Sequence, residues 1–315
     1  MKLKVAIPEY ASYRHSLGEK YTTQEKVLHA FERFAGPETN VADIDEKLTH
    51  DFIHRQGPIV TPGLFGRHAA LKGLLYWLFV RGEIKCVPID MDLPKMPQYR
   101  RPHIYSRDEL RRMFDAALTF QIRRSNIFPE CIQFVLKLTY ALGLRLHEAL
   151  SIVLGEIDMT NKTIQITQSK FYKSRLVTFG DEVLIALERF PRWRKSVGMP
   201  CKAQSALFMY SDHRPLREFA VDGSFARIRE RIGLNRAAAG EHLPRIHDLR
   251  HTFAVHRLIH WYKEGMDVQK LLPKLSTYLG HTSLKFTSVY LSMTPDLLRE
   301  ANRKFESYVS ERIFS

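Results

Sequence analysis

The sequence is short of thiols, of acidic residues and of long apolar runs. Its three cysteines, Cys86, Cys131 and Cys201, are odd in number and lack paired spacing. That pattern excludes a disulfide framework and a cysteine zinc site, and predicts reduced thiols in a cytoplasmic protein. The longest strongly apolar run, LLYWLFV from Leu74, is far short of the ~20 residues a membrane helix needs. The opening MKLKVAIPEY has no apolar signal-peptide core. There is no GxxxxGK[ST] loop and no credible GxGxxG, so nucleotide hydrolysis has no support. Acidic residues number 34 against 48 lysines and arginines in 315 residues, a formal net charge of +14. An excess of that size points to a polyanionic partner, nucleic acid first.

What is present falls into two parts. Residues 1–85 read as a helical bundle. Thr22 with Glu25 and Asp43 with Glu46 resemble capping boxes, and Thr61 before Pro62 is a cap with proline in the first turn. Residues 86–105 hold Pro88, Pro94, Pro97 and Pro102 together with Arg100 and Arg101, which predicts an extended basic linker between domains. Ser106 and Glu109 form a fresh capping box, opening a second domain over 106–293. There the apolar helix PECIQFVLKLTYAL stops at Gly143, and a short helix carries RLHEALSIV. TIQITQ and RLVTF alternate at strand spacing around SKFYKS and predict a hairpin. Helices are expected over about 244–262 and 266–278, with a last one from Thr294-Pro295 over 294–315. The expected fold class is mainly α with a small antiparallel β-sheet, an α+β chain of two domains.

The residues suited to a phosphodiester lie in the second part. Arg145 follows the Gly143 helix break, and Arg250 lies in RIHDLRHTFA. An arginine on an apolar helix needs a partner, because a buried charge is costly. An internal ion pair, for example Arg145 with Glu148, is the plain reading. Two guanidiniums clamping one phosphate is the sharper one, since the planar fork donates bidentately and stays charged. Lys170 sits in the hairpin, where a lysine can reach a groove and deliver a proton to a leaving oxygen; Lys173 and Arg175 share that stretch, a patch suited to DNA backbone. His247 and His251 stand four apart on one helical face, but Arg250 between them makes a poor metal site. His247 and His281 are candidates for proton transfer or phosphate binding, and each also reads as a core histidine. Tyr290 is the remaining nucleophile candidate. A phenol of pKa ~10 attacks only where cations favour its anion.

The ordered set ALGLRLHEAL, SKFYKSRLVTF, HDLRHTFAVH and LGHTSLKFTSVY, over about residues 103–292, resembles the tyrosine recombinases, the integrase family of site-specific DNA recombinases. The resemblance implies a C-shaped clamp on DNA, made by a helical core-binding domain and a catalytic domain. It implies that Arg145 and Arg250 bind the scissile phosphate, that Lys170 is the general acid, with Lys173 as the alternative, and that His247 is the general base. It further implies that His281 contacts the phosphate, that Tyr290 is the nucleophile and that Glu148 supports the arginine pocket. No metal and no cofactor is implied. The implied partners are double-stranded recombination sites and a homo-tetramer, or a hetero-tetramer with related recombinases, associated with the bacterial nucleoid. The helix over 294–315 would then dock on a neighbouring subunit. The hairpin departs from the family in having Ser169 where glycine is usual, and its ending resembles transposon-borne members. A type IB topoisomerase or a telomere resolvase would share the constellation; a non-catalytic DNA-binding regulator would use the scaffold alone.

Overall fold

The computed structural model describes residues 1–57, 60–90, 93–95, 102–119, 125–167, 174–235, 243–281, 283–292, 299 and 302. The chain divides into two compact units, Met1–Tyr99 and Arg100–Ser315. The first holds α1 (Leu3–Ser16), α2 (Thr22–Ala35), α3 (Glu46–His54) and α4 (Pro62–Val80). Their cores meet around Leu28, Phe31, Phe52, Leu71 and Leu74, all fully buried. Each such side chain contributes roughly 1.5–3 kcal/mol of transfer free energy.

The caps of this unit differ in part from expectation. Thr61 caps α4 by accepting the Leu64 N–H, with Pro62 following, as its sequence predicts. α3 is capped by Asp45, whose side chain accepts the Leu48 N–H, because Asp43 belongs to a 3-10 turn over Val41–Asp43. α2 begins at Thr22 behind a left-handed Tyr21 and has no side-chain cap. The proline-bearing stretch is also more structured than an extended linker. Ile84 and Ile89 are buried in the first core. Thr49 Oγ1 donates to the Pro88 carbonyl at 2.7 Å, and His68 Nε2 lies 2.8 Å from the Asp90 carbonyl. Proline removes a donor and leaves the carbonyls free to anchor the chain. Arg100 and Arg101 lie outside the described residues.

The second unit holds α5 (Arg107–Thr119), α6 (Pro129–Leu142), α7 (Leu146–Ser151), β1 (Ile157–Asp158), β2 (Thr163–Ile166), β3 (Arg175–Thr178), α8 (Asp181–Ser196), α9 (Glu218–Arg231), α10 (His247–Lys263), α11 (Val268–Leu279) and α12 (Lys285–Ser288). The strands form one antiparallel sheet in the order β1-β2-β3, with Ile164 opposite Val177. Both of these residues are fully buried, so the alternation in TIQI puts its apolar face inward. Residues 168–173 of the hairpin, Lys170 and Lys173 among them, lie outside the described residues. So does the expected helix over 294–315, apart from Arg299 and Asn302. Ser106 and Glu109 cap α5 reciprocally, at 2.7 and 3.2 Å. α6 is the centre of the unit and packs against α5 on one side and α10 on the other. The Tyr105 N–H donates to Thr252 Oγ1 and its hydroxyl to the Arg245 carbonyl, tying the start of the unit to α10. Among the described residues, no helix is long and apolar enough to cross a membrane.

Candidate active site

The site is assembled by helix ends. α6 stops at Gly143, whose φ of +59° suits glycine, and the turn places Arg145 as the residue that opens α7. The Arg145 N–H donates to Glu148 at 2.9 Å and its guanidinium donates to the same carboxylate at 2.8 Å. Arg175, on β3, adds a bidentate pair to Glu148, both bonds at 2.9 Å, and donates through Nε to the Tyr278 carbonyl at 3.0 Å. Arg250, on the first turn of α10, is 1% exposed and lies 3.8 Å from the same carboxylate. It donates Nη1 to the Gly143 carbonyl at 2.7 Å and Nη2 to the Leu279 carbonyl. Three guanidiniums thus converge on one buried acid, a local charge of 3 − 1 = +2.

The titration of these groups follows from that imbalance. Burial alone would raise the Glu148 carboxyl. The hydrogen bonds and charge of Arg175, the Arg145 N–H and the charge of Arg250 overturn it and hold the group at about 2. Arg250 is pushed down to about 10 by burial and by Arg145, against the pull of Glu148. One carboxylate does not neutralise this cluster, so the pocket has the electrostatics of an anion receptor.

The histidines and the tyrosine gather beside the same cluster. His281 follows α11, which ends at Gly280 in the left-handed region, and its Nδ1 lies 2.8 Å from Thr287 Oγ1. His247 opens α10 with a solvent-exposed edge. Desolvation by the groups packed around it, then Arg250 and Arg245, lower it to about 4. Burial, Arg250 and Arg145 do the same to His281. Both are neutral at pH 7. Tyr290 sits in a 3-10 turn over Val289–Ser292, 2% exposed, packed with Phe253, Leu258 and Leu275. Its ring stacks 6.2 Å from that of His281 and its hydroxyl is 3.1 Å from His251 Nδ1.

Arg145, Glu148, His247, Arg250, His281 and Tyr290 are therefore brought to one place by the ends of α6, α10 and α11. Arg175 differs from its expected place on DNA: it is 13% exposed and its guanidinium is committed to Glu148 and Tyr278, because that buried carboxylate needs a bidentate partner. Sequence reasoning passed over His251 as half of a poor metal pair; its signal was the i, i+4 spacing that puts it on the face of His247. Among the described residues, no group of three His, Cys, Asp or Glu gathers to hold a metal. Tyr278 is a packing residue, stacked 5.7 Å from Phe253.

Named recombinases resemble this chain in sequence, and solved ones in fold. "Putative integrase/recombinase y4rB" of Sinorhizobium fredii is 30% identical over 312 residues, 98% of each chain. "Tyrosine recombinase XerC" of Anoxybacillus flavithermus is 33% identical over 295 residues, 92% of this chain and 88% of its own. Among solved structures, the Tn1549 transposon integrase in complex with transposon right end DNA superposes with a TM-score of 0.68 at 14% identity, covering 100% of both chains. The phage integrase family matches residues 105–296, the stretch that carries every member of the site from Arg145 to Tyr290. The chain belongs to the phage integrase family, the tyrosine-type site-specific DNA recombinases.

Proposed function

We propose that this recombinase binds double-stranded recombination sites and cuts and rejoins them through a 3′-phosphotyrosyl link on Tyr290, without metal or ATP, in the service of a mobile element. Arg145 and Arg250 hold the scissile phosphate and neutralise the charge that builds on its oxygens. Arg250 is fixed for this by two carbonyls, and Arg145 by Glu148, so neither guanidinium has to reorganise when the phosphate arrives. Glu148 and Arg175 are positioning residues. Tyr290 attacks phosphorus, the 5′-oxygen leaves with a proton from Lys170 in the hairpin (or Lys173), and the ester energy is kept in the phosphotyrosine. His247, neutral at pH 7, is available as a base, and His281 as a donor to a phosphate oxygen. A second strand's 5′-hydroxyl reverses the step on a new partner. The cationic lining supplies the charge stabilisation that other phosphoryl-transfer sites take from a metal. Exchange of strands between two duplexes calls for four such sites, hence a tetramer on DNA.

The observation that carries the reading is the buried Tyr290 beside His251 and His281 and within the field of Arg250, itself next to Arg145 and His247. The experiment uses duplexes selected by the protein from a random pool, rebuilt with a nick beside the cleavage position. A covalent protein–DNA adduct forms in EDTA and disappears in Tyr290→Phe, which still binds the duplex. An adduct that persists in Tyr290→Phe, or that forms only with a divalent metal, refutes the reading.

A further inference from the structure

The hydroxyl of Tyr290 touches an imidazole that the family resemblance does not single out. His251 lies one turn beyond His247 on α10, 8% exposed, with Nδ1 at 3.1 Å from the phenolic oxygen. The two rings meet edge-on, with centroids 5.5 Å apart. His247 meets His251 edge-on with centroids 4.9 Å apart, and is itself exposed. The phenol and its neighbour are thus buried together, next to the exposed His247.

We propose that His251 is a further catalytic residue of strand cleavage: in place of His247, the base that the resemblance implies, it accepts the Tyr290 hydrogen bond at Nδ1 and takes that proton as the phenolic oxygen attacks. The proposal rests on the phosphotyrosine chemistry above. In the first step the phenolic O–H breaks and an N–H forms on Nδ1, while the bond from oxygen to phosphorus forms and the bond from phosphorus to the 5′-oxygen breaks. The leaving oxygen takes its proton from the hairpin lysine. In the second step the incoming 5′-hydroxyl gives its proton to the now neutral hairpin lysine as its oxygen bonds to phosphorus, the bond from phosphorus to the phenolic oxygen breaks, and the phenolate recovers its proton from His251.

The charges around His251 make the transfer depend on substrate. It is faced by His247, Arg250 and Arg245 from α10, by His281 from the turn after α11, and by Tyr290. Burial first, then His247 and these cations, lower it to about 3 in the free protein, so the ring is neutral, and its Nε2–H tautomer is the one that accepts at Nδ1. A phosphodiester seated between Arg145 and Arg250 brings a negative charge into the same field and favours the imidazolium. The base strengthens when the phosphate is in place.

His251→Asn tests this, because an amide can hold the phenol and cannot take its proton. In single-turnover cleavage of the nicked duplex, the variant loses on the order of a hundredfold at neutral pH, with duplex binding unchanged. The deficit shrinks as pH rises toward the ~10 of a free phenol, since hydroxide then removes the proton. His251→Gly regains rate when imidazole is added. A pH profile parallel to wild type, or no imidazole response, overturns the proposal. If neither variant folds, the Nδ1 nitrogen resonance of His251 is compared between wild type and Tyr290→Phe, and an unchanged resonance overturns it. Wild type without adduct sinks the recombinase reading itself; wild-type adduct with an unaffected His251→Asn sinks only this inference.

Discussion

Replacing Glu148 by glutamine removes the one anion from a cluster of three guanidiniums. The side chain is 1% exposed and accepts four hydrogen bonds, two from Arg175 and two from Arg145. Its carboxyl titrates at about 2 against the ordinary 4.5, a gap equivalent to roughly 3 kcal/mol of stability at neutral pH. Deleting one partner of a buried ion pair costs about 3–5 kcal/mol, because the charge left behind is uncompensated. The two routes agree. At ~2–4 °C per kcal/mol for a unit of this size, the second unit melts roughly 6–20 °C lower in Glu148→Gln. Trp193 and Trp261 report that transition, and Trp77 reports the first unit, which keeps its melting temperature. The pH dependence gives a second arm. A carboxyl whose folded pKa is depressed stabilises above its unfolded value and loses that contribution as pH falls from about 4.5 toward 2. Wild type therefore approaches the variant across that window. The reasoning is refuted if Glu148→Gln melts within about 3 °C of wild type at neutral pH, or if the two proteins lose stability in parallel through the acid range.

Two further outcomes follow from the same geometry. Gly143→Ala puts a Cβ against the Phe253 ring, 2.8 Å from Cε1, on a residue at φ +59°, and costs about 2–5 kcal/mol by chemical denaturation, whereas a loss under ~1 kcal/mol means the ring can move aside. Inorganic phosphate added to the DNA-free protein raises His247 and His281 from about 4, because an anion beside Arg250 and Arg145 cancels the field that opposes their imidazolium. Histidine NMR titration reads this directly, and unmoved midpoints at saturating phosphate contradict an anion receptor.

Much of the chain was legible because its signals are local. The Gly143 stop, the Thr61-Pro62 cap and the Ser106–Glu109 box each act within one turn, and each is present where its sequence places it. The alternation in TIQITQ and RLVTF likewise fixes which strand face is buried. What was missed needs partners from elsewhere. α9 hides behind Asp222-Gly223, a turn-like pair, although Val221, Phe225 and Ile228 mark one buried helical face. Asp45 displaces Asp43 as a cap because a 3-10 turn intervenes. Arg175 resembles a DNA-facing cation in KFYKSR until the buried Glu148, 27 residues away, claims it. His251 gains its meaning only when Tyr290, 39 residues later, folds back onto α10.

The two carbonyls that hold Arg250 belong to the ends of two helices, Gly143 at the close of α6 and Leu279 at the close of α11. They lie 107 and 29 residues from it in the chain. During synthesis the first anchor waits for the arginine, and the arginine then waits for the second. Until Leu279 has left the ribosome the guanidinium has half of its cradle, and the tyrosine emerges later still. A growing chain therefore carries Arg250 before it carries both of the carbonyls that order it. On the phosphotyrosine chemistry proposed above, the order of synthesis puts the phosphate-binding arginines in the chain before the second carbonyl that holds Arg250, and both before the nucleophile.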